Sequence, residues 1–423
     1  MTIHDNRYQQ YVKILREELV PAMGCTEPIA IAYAAALVRH TLGALPDRVT
    51  VEVSGNIIKN VKSVVVPHTG GLRGIASAVA AGVVAGDEEK ELEVISRVTE
   101  EEIAAIRDYA AHAEIHVRHA STPHIFDIMI TASRGAESAF VRIAQHHTNV
   151  VCIRRGEEIL LEKEIAREEN GLTDRSTMNI ESIIEFADCV EIPDVEAVLN
   201  RQIAYNMAIA EEGLRNPYGA NIGKTLLRNH GGDLFYKMRA YAAAASDARM
   251  NGCELPVIIN SGSGNQGITT SVPVIVYART QRMTQEELLR ALCVSNLVTA
   301  HLKTGIGRLS AYCGAVSAGC GAAAGIAYLM GGRYDMIAHT VVNALAMCSG
   351  IVCDGAKASC AAKISSAIDA GLLGLEMYQS GDQFYGGEGL VKKGVENTIS
   401  VIGDLASKGM SETDREIIRL MMD

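Results

Sequence analysis

The spacing of hydrophobic and polar positions changes along this chain of 423 residues, and it predicts both helices and strands in the first part. Helical spacing runs over residues 5–19 and over 26–42, where Glu27 and Pro28 suit a first helical turn. Alternating or β-branched positions over 48–54 and 61–66 predict strands. The chain therefore opens with a mixture of helices and strands.

The next part of the chain is predicted to form helices and then a series of short strands. A helix of small residues is predicted from Gly70–Gly71 to about Val84, and two charged amphipathic helices follow to about Ala111. Beyond them, turn residues at 133–135 and 155–156 separate short strand patterns that predict an antiparallel sheet. The predicted strands are 114–119, 125–131, 139–145, 150–154 and 159–162.

The second part has helical spacing almost throughout. A polar connector at about 165–178 precedes it, and a short amphipathic helix follows Ser411. The pattern predicts an α+β fold with an N-terminal helix and antiparallel-sheet domain at 1–178 and a Gly/Ala-rich all-helical catalytic domain at 179–423. The clearest helices are expected at 193–213, 233–250, 284–301, 312–330 and 334–349.

Composition and charge narrow the class of protein. Hydrophobic residues make up 48% of the chain and charged residues 21%, which is typical of a globular protein with a large core. The net charge of −11 argues against nucleic acid or an anionic membrane as a partner. The N-terminus lacks a signal-peptide pattern, and prolines and glycines interrupt the uncharged residues 255–278, so no membrane span is expected. Ten cysteines without an export signal predict a reducing, cytoplasmic location.

Three cysteines near the C-terminal end are candidate metal ligands. Cys313, Cys353 and Cys360 lie among small residues, and three thiolates leave one metal position open for chemistry. In a regular helix over 353–360 the last two thiols would be roughly 10 Å apart along the axis, but Asp354–Gly355 predicts a turn that brings them closer. The alternative is that these are buried thiols in an Ala/Gly core, as free cysteines commonly are.

The other cysteines carry weaker signals. Cys320 follows Cys313 by seven residues and would lie on the same helix face. Five further cysteines in apolar strands or helices are expected to serve packing alone: Cys152, Cys189, Cys253, Cys293 and Cys348.

Cys25 differs, because it comes at the start of a predicted helix. Free amide groups and the helix dipole lower a thiol pKa at such a position, so Cys25 is a candidate base or nucleophile. A buried cap position is the alternative.

A glycine-rich segment, Asn260–Gly267, is the best candidate for binding a small anion. Its glycines expose backbone amides at a helix start, where a carboxylate can bind, and Ser261, Ser263, Asn265 and Gln266 add polar side chains around Gly264. An ordinary glycine-rich turn is the alternative. His68, at a predicted strand-to-helix turn, is a further site candidate.

Two other motifs favour structural explanations. Residues 219–225 are one residue short of a phosphate-binding loop and follow no strand. Four histidines straddle a helix end and a strand, where alternation would split them between faces, so they are interpreted as solvated or packing residues: His112, His116, His119 and His124.

Taken together, these segments resemble the L-cysteine desulfidase family, which is related to the alpha chains of the iron–sulfur L-serine dehydratases. The resemblance covers nearly the whole chain and rests on Gly24–Pro28, Val53–Asn56, Pro67–Gly71, Ser261–Gly267 and the three cysteines Cys313, Cys353 and Cys360. Residues 352–354 also resemble the second cluster cysteine of the serine dehydratases. Cys360 falls four residues closer than their third, however, and their Ser-Ser-His-Thr substrate motif is missing. These differences favour the desulfidase branch.

The resemblance implies a cofactor and a set of roles. By it, Cys313, Cys353 and Cys360 hold a [4Fe–4S] cluster, and Cys25 is the proton acceptor. The substrate carboxylate would bind the amides of Ser261–Gly267, with help from Asn56 or His68.

The expected activity is that of a lyase, the β-elimination of L-cysteine to pyruvate, ammonia and sulfide. Two alternatives stay open: an iron–sulfur dehydratase of L-serine or another β-substituted amino acid, and a non-catalytic iron–sulfur protein that binds cysteine. The expected partner is a small amino-acid substrate. The Ala- and Gly-rich helical faces could also pair two subunits in a homodimer.

Overall fold

A computed structural model describes residues 1–23, 26–165, 173–307 and 310–422, and it confirms the α+β fold. The first part contains α1 (Asn6–Glu18), β1 (Pro21–Met23), α2 (Thr26–Leu42), β2 (Arg48–Val53), α3 (Gly55–Val61), α4 (Gly74–Ala85), α5 (Glu100–His112), β3 (Glu114–His119), β4 (Asp127–Arg134), β5 (Glu137–Ala144), β6 (Val150–Arg155) and β7 (Glu158–Glu162). The second part contains α6 (Ile180–Cys189), α7 (Ile192–Arg215), α8 (Ile222–His230), α9 (Leu234–Met250), β8 (Pro256–Ile258), α10 (Gly264–Thr280), α11 (Gln285–Ile306), α12 (Gly314–Leu329), α13 (Tyr334–Cys348), α14 (Cys360–Gln379), α15 (Val395–Asp404) and α16 (Ser411–Met422).

The main sheet has six strands in the order β3-β2-β4-β5-β6-β7. Its pairs from β2 through β7 are antiparallel, whereas β2 and β3 run parallel, which the strand pattern did not predict. A parallel pair needs a crossover connection, and the helices between β2 and β3 supply it. Helix α2 packs across β4 and β5 and buries one face of the sheet.

The strand predicted at 61–66 is wrong, because the chain forms helix α3 just before it. Ile57, Ile58 and Val61 lie at helical spacing on α3 and are buried, and Ser54 precedes the helix with extended backbone. Val65 then forms only a single bridge with Arg73. Val61, Val64 and Val66 are buried, so the β-branched residues signalled burial correctly, but they lie at a helix end and in the turn after it and not along a strand.

Buried residues form two hydrophobic clusters. The sheet core gathers residues from 29–150 and also Ile418 of α16, and the helical core gathers residues from 178–406 and also α1, through Tyr8, Tyr11 and their neighbours. The chain therefore begins in the helical core with α1, continues through the sheet core, and then forms the rest of the helical core. Its last helix, α16, packs against the sheet core again. The domain boundary placed near residue 178 stays a prediction.

Small residues let the helices of the second part approach closely. A Cβ atom at Gly319 would lie 2.5 Å from the Ala367 carbonyl oxygen, and one at Gly321 would lie 2.1 Å from Thr299 Oγ1. These contacts bind α12 to α14 and α11, and α12 carries Cys313 at its N-terminal boundary. No helix in the part of the chain that the structure describes is long and apolar enough to cross a membrane.

Candidate iron–sulfur site

The fold brings Cys313 and Cys353 together through a short antiparallel contact. Tyr312 and Val352 form an isolated bridge, the Cys313 amide donates to the Ile351 carbonyl (3.0 Å), and the Cys353 amide donates to the Ala311 carbonyl. Side chains alternate along extended segments, so the residues that follow the two bridge partners project to the same face, diagonally across from each other. The two thiols therefore share one side of the contact.

Cys360 follows a non-helical segment with a turn at residues 358–359, so the expectation that a loop joins Cys353 to Cys360 holds. Helix α14 begins only at Cys360, so residues 353–359 are not helical and the axial separation of a regular helix does not apply. The Cys360 thiol donates to the Gly355 carbonyl at 3.4 Å. Cys313 interacts electrostatically with both Cys353 and Cys360, so the three thiols form one group, named here the thiol cluster.

Burial raises the pKa of two of these thiols. The pKa of Cys313 rises to about 12, mainly through burial and then through the neighbouring Cys353, and burial also raises the pKa of Cys360. Bringing thiolates together in a poorly solvated place costs free energy unless a cation compensates. Burial therefore keeps these two thiols protonated unless a bound metal converts them to thiolates.

Lysines surround the thiol cluster. Lys363 pairs with the Asp354 carboxylate and donates to the Val352 carbonyl at 2.9 Å, and Lys357 also pairs with Asp354. Lys303 on α11 is only 8% exposed. Burial lowers its pKa, while the nearby Cys353 and Cys313 act in the opposite direction. Lys357 and Lys363 share the single Asp354 carboxylate, so positive charge exceeds negative charge in this ion-pair group beside the thiols.

Three thiols are soft donors of the kind that bind iron–sulfur clusters. Across residues 1–23, 26–165, 173–307 and 310–422, no group of three His, Cys, Asp or Glu side chains is placed to hold a metal ion. In a [4Fe–4S] cluster each thiolate binds a different iron atom, so its ligands need not converge on one point. Thiols are soft ligands and are therefore suited to binding the iron atoms of such a cluster.

Gln266 links the glycine-rich segment to the thiol cluster. Its side chain lies against Gly314, the residue after Cys313, since a Cβ atom there would come within 2.5 Å of the Gln266 amide carbon. Gln266 is 7% exposed, and its Oε1 has no hydrogen-bond partner among the described residues. The structure thus brings this predicted substrate residue to the candidate centre.

Several other residues of the glycine-rich segment make contacts with neighbouring protein groups. The Ser261 amide donates to the Glu18 carboxylate at 2.7 Å, and Ser263 precedes α10 without a side-chain cap. Gly264 lies against the Arg249 guanidinium, and Asn265 accepts a hydrogen bond from Arg249 at 3.4 Å. A guanidinium beside a helix N-terminus favours an anion. Sequence reasoning missed Arg249, which lies in the helix before the segment.

The remaining predicted site residues lie in the sheet part. Asn56 on α3 accepts from Asn60 at 3.3 Å, and the Lys59 carbonyl of the same helix accepts from Ala356 of the cysteine-bearing turn. His68, with a φ of 55°, pairs with Glu254 at 3.2 Å. Asn56 is therefore on the helix that contacts the thiol cluster's turn, whereas the contacts of His68 are with the segment before β8.

Cys25 lies outside the described residues. The side chains that follow it form a polar group that sequence reasoning missed: Thr26 Oγ1 is 2.9 Å from His147 Nε2, and Asn60 donates to Glu27 at 3.1 Å. Burial lowers the pKa of His147, while Glu27 acts to raise it. Residue 147 is far from residue 26 in sequence, so only the fold could reveal this contact.

The motifs that favoured structural explanations have structural roles. At residues 219–225, the N-terminus of α8 is already bound by a carboxylate, because the Gly223 amide donates to buried Asp247 at 3.1 Å. His112, His116 and His119 are exposed, and His124 is half-buried. Of the cysteines expected to serve packing, Cys253, Cys293 and Cys348 are buried, as is Cys320.

Comparison with known proteins identifies the family of the chain. The serine dehydratase alpha chain family model matches residues 89–419, which include the thiol cluster and the glycine-rich segment. A UPF0597 protein of Desulfitobacterium hafniense is 57% identical over 424 residues, covering 100% of this chain and 99% of that protein. UPF0597 proteins of Treponema denticola (47% identical, 100% of each chain covered) and Lachnoclostridium phytofermentans (48% identical, 98% and 100% covered) are also similar.

The matched family is typically iron–sulfur dependent, which agrees with the soft donors of the thiol cluster. Its description points to a lyase of the dehydratase type. This chain belongs to the serine dehydratase alpha chain family.

Proposed function

We propose that this protein eliminates sulfide from L-cysteine, giving pyruvate and ammonia, with Cys313, Cys353 and Cys360 holding a [4Fe–4S] cluster. The observation that carries the proposal is the convergence of these three thiols from separate parts of the helical core. They meet beside Lys303 and Lys363, next to the buried amide of Gln266. A set of three ligands leaves one iron without a protein ligand.

The bound cluster would supply a Lewis acid that makes the departing sulfur a better leaving group. Cys25 is assigned the removal of the α-proton, the step for which a positioned base is needed. The electron pair of the broken Cα–H bond then forms the Cα–Cβ double bond as the Cβ–S bond breaks. The aminoacrylate product takes up water and yields pyruvate and ammonia.

Binding of the amino acid is assigned to two polar surfaces. The substrate carboxylate would lie at the N-terminus of α10, where Arg249 adds a positive charge beside Gly264 and Asn265. Oxygen atoms of Glu27 and Asn56 are acceptors suited to an α-ammonium group, and both lie near Asn60. Gln266 would orient the substrate from the side of the thiol cluster.

Dehydration of L-serine is the second candidate, and the family match favours it directly. Against it stand the missing Ser-Ser-His-Thr motif and the shorter spacing from Cys353 to Cys360. Both reactions use the same α-proton removal and release pyruvate. They differ in the leaving group, sulfide or water, so they are separable by product analysis.

The test is pyruvate release from L-cysteine and L-serine, measured side by side under anaerobic conditions on protein reconstituted with iron and sulfide. Faster pyruvate release from cysteine, with an equal amount of sulfide, is the expected result. Faster release from serine would assign the protein to the dehydratases. No pyruvate from either substrate, with iron bound, would refute the enzymatic proposal and leave a cysteine-binding iron–sulfur protein.

The ligand assignment has its own test. Cys353→Ala should lose most of the bound iron and the visible absorption of the cluster, because one of the three proposed cysteine ligands is removed. Cys152→Ser, a half-buried cysteine on β6, is the matched control and should keep its iron. Equal iron content in the two variants would refute the assignment.

A further inference from the structure

We propose that the Lys59–Asp414 ion pair is a positioning device, through which the C-terminal helix α16 holds the cysteine-bearing turn 353–360 in place. The inference rests on the proposed function for the role of that turn as an iron ligand. Its structural part, the link from α16 through α3 to the turn, rests on contacts alone.

Lys59 makes two contacts that face different partners. Its ammonium group lies 2.5 Å from the Asp414 carboxylate of α16, and its side chain is only 4% exposed. Its backbone carbonyl accepts a hydrogen bond from the Ala356 amide at 3.1 Å. One residue of α3 therefore joins the C-terminal helix to the turn between Cys353 and Cys360.

The turn lies directly on the Lys59 carbonyl. A Cβ atom at Gly355 would be 1.9 Å from the Lys59 carbonyl oxygen, and Gly355 has a φ of +92°. No other residue type fits such an approach without moving the backbone. A displacement of α3 at Lys59 would therefore displace the residues on both sides of Gly355.

Helix α16 fixes α3 at a second point, one turn away. Ile418 belongs to the sheet core at 9% exposure, and a Cβ atom at Gly55 would lie 2.4 Å from its Cδ1. Gly55 and Lys59 are four residues apart on α3 and so lie on the same helix face. The apolar and ionic contacts together set the position of α3.

Removal of Asp414 would leave the Lys59 ammonium buried without this counter-charge. Lys303 lies within electrostatic range of Lys59, so the repulsion between these two groups would no longer be offset by the Asp414 carboxylate. Lys59 is expected to move toward solvent in response, and α3 with it. The carbonyl that holds the turn would no longer be fixed.

The experiment uses the full-length chain and two measurements. In iron-free protein, the rates of alkylation of Cys353 and Cys360 by iodoacetamide are measured by mass spectrometry, with Cys152 as the internal reference. In reconstituted protein, the rate of iron loss to a chelator is measured. The variant is Asp414→Asn, and the control is Glu412→Gln, which removes an exposed pair with Arg415 on the same helix.

In Asp414→Asn, Cys353 and Cys360 should be alkylated faster than in the parent, whereas Cys152 should be alkylated at the same rate. The reconstituted variant should also lose iron about 10-fold faster than the parent. Glu412→Gln should match the parent in both measurements. Unchanged alkylation of both cysteines in Asp414→Asn would overturn the proposal. If Asp414→Asn does not fold, Ile418→Val replaces it, with a smaller increase at the same two cysteines expected and no increase overturning the proposal.

The two proposals fail in different ways. A parent protein that binds no iron or releases no pyruvate refutes the proposed function, and the alkylation rates still test the structural link. If the parent binds iron normally but Asp414→Asn leaves the alkylation rates of Cys353 and Cys360 unchanged, only the positioning role is refuted.

Discussion

At the scale of single residues, burial of polar and ionisable groups marks the candidate site. Gln266 is buried with no hydrogen-bond partner for its Oε1 among the described residues, and Lys303 is a buried ammonium beside thiols. Unsatisfied buried groups cost free energy, so they persist where a ligand completes them or a function needs them. Hydrophobic patterning does not reveal such residues, because each occupies a position that the pattern assigns to the core.

The role of Cys25 gives a prediction at this scale. Cys25→Ser replaces a thiol, whose thiolate would be the base, with a hydroxyl that does not ionise near neutral pH, so turnover of L-cysteine should fall by about a hundredfold or more. Bound iron should be unchanged, since the cluster ligands are elsewhere. Activity is measured as pyruvate release and iron by colorimetric assay on the same sample. A variant with full activity would remove the base assignment.

Asp247 gives a prediction about stability and pH. Burial raises the pKa of Asp247 to about 6, well above the usual value of an aspartate, although the Gly223 and Ile222 amides act to lower it. Ionisation is therefore costlier in the folded chain than in the unfolded chain. This raised pKa makes stability fall as pH rises from about 4 to about 6, by about 3 kcal/mol in all, and stay lower above that range.

The matching experiment compares the parent with Asp247→Asn by denaturant unfolding at several pH values. The variant cannot ionise there, so its stability relative to the parent should increase between pH 4.5 and 7.5. Asp382→Asn, at an exposed position, is the control and should show no such trend. A stability difference that is constant over this range would contradict the pKa assigned to Asp247.

At the scale of elements, the sequence predicts what local spacing determines. Helix α2 has the predicted bounds, 26–42, because apolar residues and a suitable first turn agree there. The strand predicted at 61–66 fails, because Val64 and Val66 are buried in a turn after α3, and β-branched residues signal burial without deciding the backbone conformation. The parallel pairing of β2 with β3 also depends on distant parts of the chain.

The thiol cluster shows the same division. Asp354–Gly355 predicted from local residue preferences that no regular helix joins Cys353 to Cys360, and this is confirmed, since α14 begins only at Cys360. The bridge between Tyr312 and Val352 joins segments 40 residues apart, and the support of the turn by Lys59 joins segments almost 300 residues apart. No local pattern contains these contacts. Arg249 and His147 were missed for the same reason, because their contacts with Asn265 and Thr26 join separate elements.

Gly355 provides a prediction for the turn as an element. Gly355→Ala adds a Cβ atom 1.9 Å from the Lys59 carbonyl oxygen at a φ of +92°, so the turn must move away from α3. The backbone conformation alone costs about 1–3 kcal/mol for a residue other than glycine. Reduced iron content and a lower unfolding midpoint are expected.

The control for this change is Gly350→Ala. Gly350 precedes the same cysteine-bearing segment, but an added Cβ atom there would meet nothing within 4 Å. It should keep its iron and its unfolding midpoint. If Gly355→Ala behaved like Gly350→Ala, the close approach of the turn to α3 would not be required for iron binding.

At the scale of the whole molecule, the two cores are built from interleaved parts of the chain. Helix α1 packs in the helical core, and Ile418 of α16 packs in the sheet core. The thiol cluster belongs to the helical part, yet its turn rests on α3 of the sheet part. A site at such a junction depends on both cores, so damage to either one should reach the iron ligands.

This interleaving predicts the behaviour of fragments. A fragment of residues 1–178 lacks α16, so Lys59 loses its ion pair with Asp414 and Gly55 loses its contact with Ile418. A fragment of residues 179–423 lacks α1, which packs in the helical core. Each fragment should unfold at lower denaturant concentration than the intact chain, and the second should bind iron poorly although it contains all three cysteines. Mixing or co-expressing the two should restore iron binding, measured by absorption and by co-purification. A fragment 179–423 that binds iron as tightly as the full chain would instead show that the helical core carries the cluster without support from α3.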